Sequence, residues 1–114
     1  MRIERFEDII AWQRSKNLTV EIYILFAEHK DYCFKDQIQR TSVSIMNNFA
    51  EGFERKSNNE FKQYLYIAKG SCGEVRSMLI LAKELKKITD AKAIELIHQA
   101  EEISKMLSGF IKTL

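Results

Sequence analysis

The stretch SNNEFKQYLYIAKGSCGEVRSMLILAKEL, Ser57 to Leu85, decides the fold. It opens with a helix-start signal. Ser57 can cap free backbone amides, and Glu60, three residues on, can bond back to the cap just before Phe61. The helical pattern then continues to about Leu85. Its apolar positions are Phe61, Tyr64, Leu65, Ile67, Ala68, Cys72, Val75, Met78, Leu79, Leu81, Ala82 and Leu85. On a helix they fill an arc of roughly 200°, against about 100° for a typical surface helix. Such a helix is either the most buried member of a bundle or also faces another subunit, and the width favours the second. Gly70 and Gly73 lie at the margin of the arc, where each costs up to about 1 kcal/mol relative to alanine. They either let a neighbouring helix or ligand approach closely or are simply tolerated.

The same stretch carries basic residues at an interval of seven: Lys62, Lys69, Arg76 and Lys83, with Arg55 one interval before. That interval puts them on one helix face, drifting about 20° per step, with about 10 Å between neighbours. A solvated helix laces its cations with Glu or Asp three or four residues away, and this stripe reads as bare of such partners. It is either a solvated face, since charges about one Debye length apart barely repel, or a face on which a polyanion docks.

Working outward, three more helical segments appear. The first runs from about Glu7 to His29, with Ile9, Ile10, Trp12, Leu18, Ile22, Leu25 and Phe26 on its apolar face and Val20, Tyr23 and Ile24 widening it. Lys30 to Phe34 breaks the pattern and reads as a loop. The second runs from about Lys35 to Glu54 on a stripe of Ile38, Ser42, Ile45, Phe49 and Phe53, with Gly52 placed where a helix can stop. The fourth starts after Thr89 as N-cap, with Asp90 in the first turn. Its face is Ile94, Ile97, Ala100, Ile103, Leu107, Phe110, Ile111 and Leu114. Short connections make consecutive helices antiparallel. The expected fold is all-α, an up-and-down four-helix bundle in one domain covering residues 1–114.

Composition agrees. Of 114 residues, 46% are hydrophobic and 30% charged, so the chain can bury its own core. There is no proline and there are only four glycines, which all but excludes a turn-rich β protein. The net charge of +2 means that any nucleic-acid binding comes from how charge is distributed. Cys33 and Cys72 match no metal spacing. With no signal peptide ahead of them they read as reduced thiols of a cytoplasmic protein. No apolar run approaches the roughly 20 residues that span a membrane.

The run Asp36-Gln37-Ile38-Gln39-Arg40, Ser44-Ile45, Asn48-Phe49-Ala50-Glu51-Gly52-Phe53, Arg55-Lys56-Ser57, Glu60-Phe61 and Tyr66-Ile67-Ala68-Lys69-Gly70-Ser71, with Glu74 beyond, resembles a small bacterial family encoded in intervening sequences of 23S ribosomal RNA genes. Phe6-Glu7-Asp8-Ile9 and Ala11-Trp12-Gln13 match the family's start, so the resemblance covers nearly the whole chain. Arg40, Asn48, Glu51, Gly52, Gly70 and Glu74 are its motif positions here. Met46 stands where the family usually has proline, which should straighten or relax the second helix. The resemblance implies a four-helix bundle assembled as a homopentameric ring. It also implies likeness in fold to accessory proteins of diversity-generating retroelements, which bind a reverse transcriptase and nucleic acid. It implies no enzymatic activity.

Little catalytic chemistry is legible. Glu95 and His98 form one Glu-x-x-His step, where carboxylate-bridged di-metal bundles use two. His29 has no glutamate three residues before it, and no metal or other cofactor is expected. Glu51 and Glu74 read either as neighbouring buried carboxylates suited to proton transfer or, with stronger support, as acceptors from Asn48, Arg40 or a neighbouring helix that fix register. Cys72 reads as a small core residue. Gly70-Ser71-Cys72-Gly73 lies inside a helix and is no phosphate loop. Trp12 reads as a core or interface anchor, whereas Tyr66, beside the basic stripe, suits stacking on a single-stranded base. The sequence therefore points to a non-enzymatic homo-oligomer that binds nucleic acid, RNA in particular. The binding residues would be Arg55, Lys62, Lys69, Arg76 and Lys83 with Lys86, Lys87 and Tyr66. The alternative is a protein-interaction scaffold, such as an accessory subunit of a reverse transcriptase.

Overall fold

The computed structural model describes residues 3–114. Four long helices follow a single 3-10 turn at Phe6–Asp8: α1 Ile10–Phe26, α2 Tyr32–Phe53, α3 Asn58–Glu84 and α4 Asp90–Lys112. They form a rod 44 Å long and about half as wide. No strand occurs among the described residues.

Contacts between helices fix the topology. Thr19 of α1 donates to the Ser42 carbonyl of α2 (3.0 Å), and Ser44 of α2 meets Ser71 of α3 hydroxyl to hydroxyl (2.9 Å). The Cys72 thiol of α3 donates to the Ala100 carbonyl of α4 (3.0 Å). Arg14 and Glu21 of α1 pair with Glu102 and Lys92 of α4, each at 3.4 Å. Rising numbers on α1 meet falling numbers on α4, and the short turns between consecutive helices reverse the chain each time, so neighbours are antiparallel. The expected up-and-down bundle is what forms. Its centre is Leu18, Ile22, Phe26, Ile38, Ile45, Phe49, Leu65, Val75, Leu79, Leu96, Ile103 and Leu107, all fully buried.

Local chemistry sets the helix ends. Asp31 caps α2 through the Phe34 amide, Ser57 caps α3 through Glu60, and Thr89 caps α4 through Lys92. The Ser57 hydroxyl also donates to the Glu60 carboxylate (3.2 Å), which stands in place of the bond from the Ser57 backbone amide that a full capping box makes. At the end of α3 the Lys87 amide reaches back to the Ala82 carbonyl (2.9 Å) with Lys86 at φ 58°, a left-handed stop built without glycine.

Several expectations need correction. The first helix does not run from Glu7 to His29. Extended backbone at Ile9 separates the opening turn from α1, which ends at Phe26. Tyr32 to Phe34 are not loop; Asp31 starts α2 there, and Phe34 begins its buried stripe. Ile10 and Ile24 of α1 are 63% and 72% exposed, not core, and Ile94 of α4 is exposed while Ala93 and Leu96 face inward. Gly52 is not a stop signal. A Cβ there would meet the Tyr64 Cβ at 2.6 Å, so the missing side chain lets α2 and α3 touch. With Met46 in it, α2 is unbroken over its 22 residues.

Candidate nucleic-acid interface

The wide apolar arc of α3 splits in two. Phe61, Leu65, Ala68, Cys72, Val75, Leu79 and Ala82 are buried, whereas Ile67, Leu81 and Leu85 are left in solvent. Tyr66 is also exposed (59%). Gly70 and Gly73 have open space where a Cβ would sit, so no neighbour within the chain explains them.

The basic stripe is less bare than its spacing suggests. Arg55 lies outside α3, in the turn after α2. Its guanidinium pairs with Glu51, four residues before it, at 3.3 Å, donates to the Tyr64 hydroxyl, and sits 4.9 Å from the centre of that ring. Arg76 pairs with Glu101 of α4 at 3.6 Å. Lys86 pairs with Asp90. Lys87 is a structural cation: its side chain is only 16% exposed, 2.9 Å from Asp31 and 5.3 Å from the centre of the Phe34 ring. The bond from Lys87, with help from the Phe34 amide, holds the Asp31 carboxyl below its ordinary range. Among the described residues, Lys62, Lys69 and Lys83 remain without an acidic partner.

The helix register adds what the stripe lost. With Cys72 against Ala100 and Arg76 against Glu101, antiparallel pairing places Lys69 across from Lys105 and Lys62 across from Lys112. Lys105 and Lys112 are exposed and have no ion pair among the described residues. Glu101, one turn before Lys105, is turned to Arg76 instead. Four lysines from two helices thus gather on one outward face, at the end of the rod away from the α3–α4 turn. Sequence reading left out Lys105 and Lys112, because the signal is a register between helices and not a spacing along one.

The other motif positions lie toward α2. Glu51 and Glu74 are exposed, so they are not a buried carboxylate pair. Arg40 pairs with Asp36 at 2.8 Å, and Asn48 donates to the Ser44 carbonyl (2.8 Å) and hydroxyl (2.9 Å). Neither donates to Glu51 or Glu74. Glu74, Arg40, Thr41, Ser44 and Ser71 line a shallow groove of about 310 Å3 between α2 and α3. A second open groove, about 510 Å3, runs along Phe6, Asn47, Asn48, Ala50, Glu51 and Glu54. His98 lies 3.4 Å from Glu102 and is not joined by a second histidine step. Cys72 is buried, and burial pushes its thiol up to about 11. Trp12 packs edge-on against Phe6 at 5.1 Å, at the margin of the core. Among the described residues every buried side-chain nitrogen or oxygen has a partner.

The fold and this face define a small helical bundle in which, among the described residues, no charged side chain is buried and the buried polar side chains are the hydroxyls of Ser15, Thr19, Ser42 and Ser71. A family model described as 23S rRNA-intervening sequence protein matches residues 7–109, and the chain belongs to that family. Among solved structures it is similar to a protein of unknown function from the S23 ribosomal protein family of Bacteroides thetaiotaomicron VPI-5482. The TM-score is 0.85 at 27% identity, over 90% of this chain and 99% of that one. No curated protein matches the chain. No helix described is long and apolar enough to cross a membrane.

Proposed function

We propose that this chain is a non-enzymatic, homo-oligomeric bundle of the cytoplasm that binds RNA through the outward face of α3 and α4. One observation carries the reading: Lys62, Lys69, Lys105 and Lys112 converge on a single face without acidic partners. Ammonium groups held there cost little in isolation and gain by displacing counterions from a phosphate backbone. Exposed apolar side chains on α3 and α1 support self-association, and the family resemblance suggests five subunits in a ring. Light scattering at micromolar concentration is expected to give several times 13.4 kDa. A monomer mass would remove the assembly from the proposal.

The binding test compares two pairs of equal charge loss, Lys62→Gln with Lys69→Gln and Lys16→Gln with Lys30→Gln. The first pair is expected to weaken RNA binding by about tenfold and to flatten its salt dependence by about 0.7–0.9 for each phosphate no longer neutralised. The second should barely act. Equal loss from both would mean that total charge drives binding. A second reading, a scaffold that holds a protein such as a reverse transcriptase, is favoured by Leu81 and Leu85, which are 47% and 56% exposed. Its binding would hold as salt rises, whereas phosphate binding falls steeply.

A further inference from the structure

Tyr66 stands on the lysine face. It is four residues after Lys62 and three before Lys69, so both are its direct neighbours on the helix surface. The ring is not used by the fold: 59% of the residue is exposed, and it makes no hydrogen bond or aromatic contact among the described residues. An exposed tyrosine flanked by two unpaired lysines is the arrangement on which an unstacked base sits with its phosphates held on either side.

The surface around the ring is unusually low. Gly70 lies one turn beyond Tyr66 and Gly73 two turns beyond. The register that pairs Lys69 with Lys105 brings Gly109 of α4 opposite Tyr66. At all three glycines a Cβ would meet nothing within 4 Å. Packing within the chain therefore does not require them, and each weakens its helix by up to about 1 kcal/mol relative to alanine. Bare backbone beside an exposed ring lets a flat group come down against the helix at van der Waals distance.

We infer that Tyr66, framed by Lys62, Lys69 and Lys105 and floored by these glycines, is a stacking site for an unpaired base of single-stranded RNA. The inference rests on the RNA reading above and deepens it. Bases paired in a duplex keep their faces stacked on each other and offer Tyr66 nothing, while the lysines attract both forms. The site therefore selects strand form more than sequence, since every base has a π-face.

The test uses fluorescence anisotropy with the intact protein. The probes are labelled oligouridine of about 12 nucleotides, within the usual single-strand site size, and an RNA duplex of equal length. The wild type is expected to bind the single strand about tenfold more tightly. Tyr66→Leu should lose about tenfold on the single strand and less than about twofold on the duplex, whereas Tyr66→Phe keeps the ring and stays within about twofold of wild type. Gly73→Leu, which fills the floor without touching the ring, should reproduce the selective loss. Light scattering on each variant reports assembly. Equal loss on both probes, or none, would overturn the stacking site and leave the lysine face standing. A change of mass in Tyr66→Leu would show that a second copy of this chain covers the ring, and would overturn it too. If the wild type ignores both RNAs at low salt, the RNA reading itself falls and takes the stacking site with it.

Discussion

Alanine should have opposite effects at Gly52 and at Gly70 or Gly73, although all three glycines lie within helices. At Gly52 the added Cβ would sit 2.6 Å from the Tyr64 Cβ, 2.9 Å from the Phe61 Cδ1 and 3.3 Å from the Phe61 carbonyl. Carbon atoms prefer about 3.5–4.0 Å, so roughly 1 Å must open between α2 and α3. Neither neighbour can yield alone. The Tyr64 Cβ is fixed to the α3 backbone. The Phe61 ring is held edge-on by Phe49 at 5.7 Å and Phe53 at 5.9 Å, and packs on Phe110 at 5.5 Å. Overpacking of this kind costs about 1–3 kcal/mol, and better helix propensity returns less than about 1 kcal/mol in a last turn. Gly52→Ala should therefore lose about 1–2 kcal/mol. Gly70→Ala and Gly73→Ala meet nothing and should gain up to about 1 kcal/mol each. Urea unfolding followed by far-ultraviolet circular dichroism, at matched protein concentration, reads all three. With a denaturant slope of about 1–3 kcal/mol/M, the Gly52 variant should move its midpoint down by about 0.5–1 M and the other two should move up. A Gly52→Ala midpoint at or above wild type would refute the close-packing argument. A fall for Gly70→Ala or Gly73→Ala would mean that another body already lies on that shelf.

Other outcomes follow from the same contacts. Asp31→Asn keeps the α2 cap but removes the charge facing Lys87. Because the folded-state carboxyl titrates below its ordinary 3.8, the wild type should hold its advantage at neutral pH and lose it as pH falls below 3.8, so unfolding midpoints of the two should converge in acid. A gap that persists to pH 2 would assign the effect to something other than this ion pair. One thiol, Cys33, should react at once with a disulfide reagent, and Cys72 only on unfolding, since it is buried and its thiolate is disfavoured. Two fast thiols would contradict the packing of α3 on α4. Lys86→Gly should raise stability by about 0.5–1 kcal/mol, since glycine adopts φ 58° without a clashing Cβ; a loss would show that the pair with Asp90 matters more than the backbone.

The bundle was legible in the sequence because its causes are local. Ser57 with Glu60, Thr89 with Asp90, and apolar stripes such as Ile38, Ser42, Ile45 and Phe49 act within one helix, and each is found where its spacing put it. Asp31 was missed as a cap because Tyr32 and Cys33, the first residues of α2, face outward and hide the period that Phe34 begins. The site was only half legible. Spacing pointed to Lys62, Lys69 and Tyr66. It could not show that Glu101, 25 positions from Arg76, neutralises that arginine, or that Asp31, 56 positions from Lys87, does the same. Nor could it bring Lys105 and Lys112 to the same face. Glu51, four residues before Arg55, was the one pairing that the sequence itself offered against a bare stripe.

Most exposed large apolar side chains gather toward one end of the rod, although Ile3, Ile10, Tyr66 and Ile67 lie in the other half. Val20, Tyr23, Ile24, Tyr32, Ile80, Leu81, Leu85 and Ile94 lie in the half that holds the α1–α2 and α3–α4 turns. In that half Lys86, Lys87 and Lys92 are tied to Asp90, Asp31 and Glu21. The unpaired quartet of Lys62, Lys69, Lys105 and Lys112 lies in the other half. Self-association through the apolar half would bury surface on which Lys86, Lys87 and Lys92 are already neutralised, Lys30 and Lys83 excepted, and would so limit the cost of desolvating free ammonium groups. It would leave the quartet in water, repeated once per subunit. Assembly and RNA binding then draw on separate residues. Glutamine at the lysines should spare the oligomer, and a polar residue at Ile24 or Leu85 should weaken RNA binding only through the loss of repeated sites.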